Sequence, residues 1–432
     1  MTDAASPSTG VSPRTQRLKA RLRARYARET RFRWYGRAAI GVALAFLVIL
    51  LGSIITQGYT AFYAHTVTLP VYMDPARIDR SYPQGANFEQ IVAEQQIRRL
   101  GVQDDEQGTK ASAMKALLSS ELKFQAAKMI ARQPSLLGQT VPVAAPLSDD
   151  AEMYLKGKIT RDQPEDQRRV SNAQMDWLDR MKASGAVRAH FNSALFTKGD
   201  STQPELAGLL GAVVGSALML MVTALIAIPV GVGAAVWLEE YSPRNRITAI
   251  IEVNINNLAA VPSIVFGLLG AAVFINFFNL PRSAPLVGGL VLTLMTLPTI
   301  IIATRAALQG VSPALRQAAL GLGASKTQMV FHHVLPVTFP SILTATIIGV
   351  AQALGETAPL LLIGMNAFVA AVPGSPVDQA TALPVQIFLW QGNENRNFFE
   401  ARTSAAIMVL LGLMILLNAI AIILRSRLEK RA

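Results

Sequence analysis

The sequence predicts an all-α membrane protein with six transmembrane helices and a soluble domain inserted after the first helix. Of its 432 residues, 51% are hydrophobic and only 16% are charged, whereas about a quarter of the residues of a soluble protein carry charge. Six apolar segments reach the length of about 20 residues that a helix needs to cross a bilayer, the fourth marginally. The loops between them alternate between a basic and a neutral balance, which is typical of opposite membrane faces.

The six apolar segments set the predicted domain boundaries. The segments span 38–55, 207–236, 258–278, 286–302, Ser341 to Met365 and 404–424. Prolines interrupt four of them, at Pro229, Pro262, Pro298 and Pro359. Such prolines are tolerated where neighbouring helices or a polar cavity satisfy the freed backbone groups. The predicted parts are a basic cytoplasmic N-terminus (1–37), a first anchor (38–62), a soluble domain (63–205), a core of five membrane helices (206–425) and a cytoplasmic tail (426–432).

The charge distribution predicts the orientation of these helices. With six spans, the segments on the side of the N-terminus hold nineteen Lys and Arg against five Asp and Glu, while residues 63–205 hold eighteen of each sign. Because basic loops stay in the cytoplasm, both termini are predicted there and residues 63–205 outside. The net charge of +12 is then a topology signal, and nucleic-acid binding loses its main support. No small-x-small cleavage site follows the first segment, so it is predicted to remain as an anchor.

Residues 63–205 are predicted to form a mainly helical α/β domain. HTVTLPVYMD alternates and indicates a strand, whereas FEQIVAEQQIRRL and MKALLSSELKFQAAKMIARQ have a helical period. After a polar stretch, QMDWLDRMKASGAVRAHF is helical again. The domain shows no active-site constellation. The chain has no cysteine, so disulfides and Cys-ligated zinc are excluded.

The loop over 312–336 predicts a helix–turn–helix on the cytoplasmic face. Ser312 provides an N-cap hydroxyl, and the proline that follows suits the first helical position. Gly321 and Gly323 predict the end of this helix because glycine accepts the left-handed conformation. Ser325 can cap a second helix, which Pro336 is expected to end. On these grounds alone the loop is either a docking element or an ordinary connector.

The same loop resembles the EAA loop of ABC importer permeases, which reads E-A-A, three residues, Gly, nine residues and I-x-L-P. Ala318, Ala319, Gly323, Leu335 and Pro336 match in register, while Gln317 replaces the Glu and His333 the Ile. In that family the loop is a coupling helix that docks on a separate ATP-binding subunit. The resemblance implies a coupling role for Arg316, Gln317, Ala318, Ala319, Gly323 and Pro336.

Two further stretches resemble the PstA-type phosphate permeases of this family. INNLAAVPSIVFGLLG (255–270) is similar to their N-N-L-A-G-V-P-S-I-V-[YF]-G-L segment, and LGETAPLL (354–361) to their G-E-T-A-P-L-L signature. The resemblance covers residues from about 207 to 425, and the first anchor with the external domain resembles the long variant of the family. GLGASKT lacks the Gly that a phosphate-binding loop needs before its Lys. ATP and magnesium are therefore expected on a partner ATPase, and no cofactor is expected in this chain.

Two arginines that the family often carries are missing. Their positions hold Gln352 and Ile302. Arg305 lies three residues, about one helical turn, after Ile302 and is the candidate to replace one of them. The sister permease is the expected source of the rest.

Glu356 stands out because a carboxylate inside an apolar segment is costly. Gln352 lies four residues earlier and is predicted on the same helix face, and Pro359 cannot donate to the carbonyl of Gly355. With the Thr357 hydroxyl, these groups form a polar cluster. Glu356 either pairs with a basic residue of a neighbouring helix or belongs to the transport pathway. Hydrogen phosphate can donate a proton to such a carboxylate, whereas sulfate cannot.

The resemblance implies a permease subunit of an ATP-driven phosphate importer in a bacterial inner membrane, with the type I importer fold and no covalent chemistry of its own. The implied partners are a PstC-type sister permease, two PstB-type ATPase subunits, an extracytoplasmic phosphate-binding protein, phosphate and membrane lipid. Alternatives are a permease for molybdate or sulfate, and a membrane sensor or scaffold that reports phosphate status. The expected pathway residues are Arg305, Gln352, Glu356, Thr357, Asn257 and Ser263, although Asn257 could equally face a subunit interface.

Overall fold

The computed structural model describes residues 13–102, 108–393 and 396–429. The chain divides into two units, residues 1–56 and 57–432. Helix α1, Pro13–Gly58, is the described part of the first unit and ends just inside the second. Its 46 residues contain no proline after Pro13, so the predicted boundary between residues 37 and 38 is not a structural break. Residues 1–12 of the predicted N-terminus and 430–432 of the predicted tail lie outside the described residues.

The inserted domain is built on a three-stranded antiparallel sheet in the order β2-β1-β3. The central strand β1 is confirmed where the alternation predicted it, with Val67, Leu69 and Val71 buried against the helices. The strands are β1 Tyr63–Tyr72, β2 Thr140–Pro146 and β3 Val187–Phe191. The helices are α2 Phe88–Arg99, α3 Thr109–Lys115, α4 Glu121–Arg132, α5 Asp149–Leu155, α6 Asn172–Ala183 and α7 Ala194–Thr197.

Two predicted helices of this domain differ in the structure. MKALLSSELKFQAAKMIARQ was expected as one helix, but α3 ends at Lys115 and α4 begins at Glu121. The last predicted helix stops at Ala183, because Gly185 turns the backbone into the left-handed region with φ +76°. The chain then forms β3, which pairs with the first half of β1. A strand this short depends on its partner rather than on its own pattern.

The membrane core follows the inserted domain. Its helices are α8 Leu210–Val236, α9 Arg246–Ala259, α10 Ser263–Gly270, α11 Pro285–Gln309, α12 Pro313–Gly321, α13 Lys326–Gln328, α14 Leu335–Leu354, α15 Ala358–Leu362, α16 Leu383–Gln391 and α17 Arg396–Glu429. Three π-helical turns continue α8, α10 and α13, over Trp237–Tyr241, Ala271–Phe277 and Met329–Val334. Pro229 and Pro298 lie inside continuous helices, as the sequence allowed.

Five helices in the described part of the chain are long and apolar enough to cross a membrane. They cover Arg28–Phe62, Leu210–Tyr241, Pro285–Gln309, Lys326–Leu354 and Phe398–Arg427. The predicted third span, 258–278, is wrong as a continuous helix. It is part of a helix pair, Arg246–Ala259 and Ser263–Phe277, bent by 101°. A count of six spans therefore holds only if this bent pair crosses the membrane as one unit.

A buried carboxylate joins α5 to the central strand of the inserted domain. The Glu152 side chain is 6% exposed and lies 3.1 Å from His65 Nδ1 and 2.9 Å from Lys156 Nζ. Burial alone would raise the pKa of Glu152, but the His65 hydrogen bond and the Lys156 charge outweigh it and hold that pKa below its ordinary value. Burial in turn lowers the pKa of Lys156.

Arg402, near the start of α17, connects the last helix to the segment that leads out of the inserted domain. Its buried guanidinium donates to the backbone carbonyl of Ala207 and, at 3.0 Å, to that of Glu205. A cavity of about 40 Å³ beside it is lined by both Arg402 and the Glu152 cluster. The junction between the inserted domain and α17 is thus a buried polar network.

Candidate functional site

The helix–turn–helix predicted over residues 312–336, here called the coupling hairpin, is present. Ser312 Oγ accepts from the Ala314 N–H at 3.2 Å and caps α12. The turn passes through Gly323, which has φ +89°, a left-handed conformation that favours glycine. Ser325 and Gln328 then form a reciprocal capping box at the start of α13. Local rules alone were sufficient for the first helix, the turn and the start of the second helix.

One face of the coupling hairpin is exposed. It contains Gln317, Ala318 and Gly323, and Leu322, which directly precedes Gly323, is 90% exposed. Ala319 is buried instead, in a cluster that holds the hairpin against the ends of α8 and α11. The other members of that cluster are Val236, Leu308, Val311, Met329, Val330 and Val334. Among the expected coupling residues, Ala319 therefore positions the surface, and the three exposed residues form it.

Arg316 faces into the chain rather than outward. Its guanidinium lies 2.8 Å from Glu240 Oε1, and it donates to the backbone carbonyls of Leu308 at 2.8 Å and Val311 at 2.7 Å. The Glu240 side chain is only 6% exposed. Because all these acceptors belong to this chain, Arg316 fixes α12 to the ends of α8 and α11.

Pro336 does not end the second helix, so that prediction is wrong. The helix runs from Lys326 to Leu354 without interruption and carries both Pro336 and Pro340. Pro336 is the second residue after the π-helical turn Met329–Val334. In the widened hydrogen-bonding pattern of such a turn one donor is skipped, and a residue without an N–H fits there.

The first helix break lies over Ala260–Pro262, between α9 and α10. Pro262 has no N–H to donate and disfavours a helical conformation at the residue before it, so α9 ends at Ala259. Asn257 is exposed in the last turn of α9, and Ser263 is half-buried at the first position of α10. Two of the expected pathway residues therefore flank this break.

The second helix break lies over Gly355–Thr357, between α14 and α15. Glu356 and Thr357 are half-buried in this break, outside both helices. The prediction that Gln352 and Glu356 share a helix face is therefore wrong, because α14 ends at Leu354. Gln352 is exposed in the last turn of α14, before the break.

The two breaks are packed together through α10 and α15. A Cβ added to Gly267 would lie 2.7 Å from Pro359 Cα and 2.8 Å from its carbonyl oxygen, so no side chain fits at that contact. A Cβ at Gly270 would meet Val291 of α11 at 2.2 Å. The motifs around Pro262 and Pro359, which are far apart in the sequence, are therefore packed against each other.

The Glu356 carboxylate has no basic side chain within 4.0 Å among the residues whose side chains the structure describes, which are 26, 28–102, 108–393, 398–423 and 425–427. Glu356 is therefore not paired with any basic side chain that the structure describes, and its pairing with a helix of another subunit, one of the two interpretations of the sequence, stays a prediction. Asn257, Gln352 and Glu356 all present polar groups at the surface of apolar segments. In a membrane such groups face protein or a water-filled cavity rather than lipid.

Arg305 forms its ion pairs with carboxylates other than Glu356. Its Nη2 donates to Glu252 Oε1 of α9 at 2.8 Å, and its Nε lies 3.5 Å from Glu239 Oε2 in the π-helical turn after α8. Gln309 donates to the same Glu239 oxygen at 3.0 Å. As the expected replacement for a substrate-binding arginine, Arg305 is already neutralised by two carboxylates.

Sequence reasoning did not single out Glu239 and Glu240. A signal was present. Two adjacent carboxylates directly follow an apolar segment, on the membrane face where Arg305 and Arg316 are also predicted. Their partners are 66 and 76 residues away along the chain, at Arg305 and Arg316. Only the packing of α8 against α11 and α12 shows the pairing.

Apolar spans, polar helix breaks and an exposed helical hairpin together indicate a polytopic membrane protein. The chain belongs to the family of binding-protein-dependent transport system inner membrane components, whose sequence profile matches residues 227–432. Residues 19–165 match a separate profile, a domain of unknown function called DUF3333.

Individual proteins that are similar to this chain are named as transport permeases. The probable ABC transporter permease YqgI of Bacillus subtilis is 38% identical over 33% of this chain and 48% of its own length. YqgH of the same organism, also a probable ABC transporter permease, is 31% identical over 52% of this chain and 74% of its own. The phosphate transport system permease PstA of Xylella fastidiosa is 30% identical over 54% of this chain and 80% of its own. The matched region thus covers about half of the first relative and most of the other two.

Solved structures also match. An inward-facing structure of the MetNI methionine ABC transporter is 19% identical, with a TM-score of 0.41, over 51% of this chain and 95% of its own.

Proposed function

We propose that the chain is a membrane permease subunit of an ATP-driven phosphate importer, with a type I importer fold. The observation that carries the proposal is the 30% identity to a phosphate transport permease over 80% of that relative's length. The chain would form the translocation pathway with a sister permease, receive phosphate from an extracytoplasmic binding protein and couple to two ATPase subunits. ATP and magnesium would be bound, and ATP hydrolysed, in those partner chains.

The polar groups at the two breaks support a pathway role. Glu356 and Thr357 lie at one break and Ser263 and Asn257 at the other, and the contact of Gly267 with Pro359 keeps the breaks together. A carboxylate repels an anion, but it accepts a hydrogen bond from a protonated oxygen. Glu356 would therefore distinguish hydrogen phosphate from sulfate, either directly or by orienting an arginine of the sister permease. Arg305 would hold helices together rather than meet the anion.

The coupling hairpin would dock on the ATPase. Its exposed surface includes Gln317, Ala318, Leu322 and Gly323, and the small Ala318 and Gly323 would let a groove of the ATPase approach closely. Arg316 and Ala319 would hold that surface in place from inside. Pro336 would act within the helix that leads from the hairpin into the membrane.

We propose that both termini are cytoplasmic and that residues 63–205 are extracytoplasmic, in a bacterial inner membrane. The charge balance of the loops supports this orientation. Lys158 is exposed, and the chain contains no cysteine. A Lys158→Cys variant should react with a membrane-impermeant thiol reagent in intact spheroplasts, and reaction only after lysis would reverse the topology.

The test of the function is uptake by the assembled complex in proteoliposomes that contain ATP and are supplied with the binding protein. Radiolabelled phosphate should accumulate, and excess unlabelled phosphate should abolish the signal while sulfate or molybdate leaves it. Competition by sulfate or molybdate instead would identify another oxyanion as the substrate. ATP-independent phosphate binding without uptake would favour a sensor or scaffold.

A further inference from the structure

Two adjacent glutamates at the end of α8 reach in different directions. Neighbouring residues of a helix do not share a face, and Glu239 and Glu240 lie in the π-helical turn Trp237–Tyr241. π-helical turns are frequent at functional sites. Glu240 pairs with the coupling helix α12, whereas Glu239 pairs with α11. One short turn therefore contacts both elements through charged groups.

The contact between Glu240 and the coupling helix is made by several hydrogen bonds. Glu240 is buried, and both Nε and Nη2 of Arg316 donate to its Oε1, at 3.1 and 2.8 Å. Arg316 also donates to the carbonyl of Leu308, in the last turn of α11, and to that of Val311, two residues after α11 ends. A displacement of α12 therefore moves the turn at Glu240 with it, or breaks four hydrogen bonds of one guanidinium.

The contacts of Glu239 lead to α9. Glu239 accepts from Gln309 and lies 3.5 Å from Arg305, and Arg305 donates to Glu252 at 2.8 Å. Glu252 belongs to α9, which ends two turns later at the first helix break. The three charged side chains are about one-fifth to one-third exposed, so water screens them only partly.

We infer that Glu240–Arg316 and Glu239–Arg305–Glu252 form a charge relay that passes movements of the coupling helix α12 to α9 and thus to the break at Ala260–Pro262. This inference rests on the proposed function, since it assumes that a partner ATPase moves α12. It adds an assignment for Arg305, Glu239, Glu240 and Glu252: they are positioning residues that link docking to the pathway. No contact of theirs with the transported anion is needed.

The relay is tested with a single cysteine at the break. Ser263→Cys in the otherwise cysteine-free chain is assembled with its partner subunits, and the rate of maleimide labelling is measured with and without a non-hydrolysable ATP analogue. In this reporter complex the analogue should change the labelling rate. Adding Glu252→Gln or Arg305→Met should reduce that change at least fivefold, while ATP hydrolysis without binding protein stays within twofold. Glu400→Gln, which removes the same charge from an exposed site outside the relay, should leave the change intact.

The double variant Glu252→Gln/Arg305→Met completes the test. If the two side chains act as one link, the double variant should respond like either single variant, because residues in one network are not additive. A reporter response that survives Glu252→Gln would overturn the relay and leave the proposed function standing. No response in the reporter complex, with no ATPase bound to it, would overturn the relay together with the proposed coupling. Labelling needs no transported anion, so an error in the substrate does not affect either reading.

Discussion

Glu152 in the inserted domain and Glu356 at the second helix break are both carboxylates among apolar residues, and their surroundings differ. Glu152 has His65 and Lys156 within 3.1 Å, both from its own chain. Glu356 has no basic partner within 4.0 Å among the residues whose side chains the structure describes, and it lies outside regular helix. The charge of the first group is compensated by neighbouring side chains, whereas that of the second has no such compensation in the described part of the chain.

This difference predicts that Glu152 contributes to the stability of the fold, whereas Glu356 contributes to function. Removing one partner of a buried, compensated network leaves an uncompensated charge or an orphaned carbonyl, which destabilises the fold. Removing a carboxylate that has no internal partner costs the fold little, and any loss then reports on what it meets outside. Three variants test this division.

The largest effect is expected for Arg402→Met in the junction network. The carbonyls of Ala207 and Glu205 lose their donor, and the Glu152 cluster loses a neighbouring positive charge. The free energy of unfolding should fall by about 2–6 kcal/mol, because each of two buried carbonyls left without its donor costs about 1–3 kcal/mol. The measurement is the thermal unfolding midpoint of the purified complex. Arg188→Met, on the exposed face of β3, is the matched control and should change stability by less than about 0.5 kcal/mol.

If Arg402→Met yields no folded protein, Arg402→Lys keeps the charge with fewer donors and should unfold at an intermediate temperature. A wild-type midpoint for either variant would show that the network does not hold the junction.

A smaller effect, on transport alone, is expected for Glu356→Gln. Gln keeps the shape and one acceptor but cannot form a charge-assisted hydrogen bond. Phosphate uptake per assembled complex should fall more than tenfold, a barrier change of about 1.4 kcal/mol, with normal assembly. Glu152→Gln is the matched change in the closed network and should give the opposite order, with loss of folded complex and near-normal uptake in what remains. Normal uptake per complex for Glu356→Gln would remove Glu356 from the pathway.

The smallest effect is a gain in stability from Asp150→Asn. Burial, followed by the charge of Asp149, raises the pKa of Asp150 to about 6, and Arg169 only partly opposes this. The folded state therefore binds this proton more tightly than the unfolded state, so stability is lost as the pH rises from about 4 through about 6. Asn removes the buried charge and should stabilise the protein at pH 7.5 by about 1 kcal/mol, after allowance for solvent.

The measurement for Asp150→Asn is the unfolding midpoint at pH 7.5 and pH 4.5. The gain should shrink at the lower pH, where the wild-type carboxyl is mostly protonated. Asp162→Asn, at an exposed site, should show no such difference. An equal gain at both pH values would contradict the assignment of the buried charge to Asp150.

The sequence was sufficient where local chemistry decides the structure. Ser312 with Pro313, Gly323 and the Ser325–Gln328 pair each follow a rule that involves only near neighbours, and the first helix, the turn and the start of the second helix formed as predicted. Conversely, Pro336 lies inside a continuous helix while Pro262 and Pro359 stand at breaks. The residue type is the same in all three cases. What differs is the packing, such as the contact between Gly267 and Pro359, which no local pattern contains.

The candidate site was predictable to a similar degree. Glu356 was identified because an apolar segment makes any carboxylate conspicuous. Its relation to Gln352 was wrong because helical spacing was extended across a break. Arg305 was assigned to the anion because its acidic partners, Glu239 and Glu252, belong to other helices. Charge pairing between distant segments is a tertiary property, and the sequence offered only the charges.

The helix from Lys326 to Leu354 is uneven along its length. Its π-helical turn and both of its prolines lie before Ser341, and the fourteen residues from Ser341 to Leu354 are regular α-helix, about 21 Å long. Helices bend where π turns and prolines interrupt the hydrogen bonding. The helix can therefore bend near the coupling hairpin, while its straight part ends just before Glu356. A rotation of about 20° at the bend would displace Leu354 sideways by about 7 Å, so a modest tilt of the coupling hairpin would move the second break by a large distance.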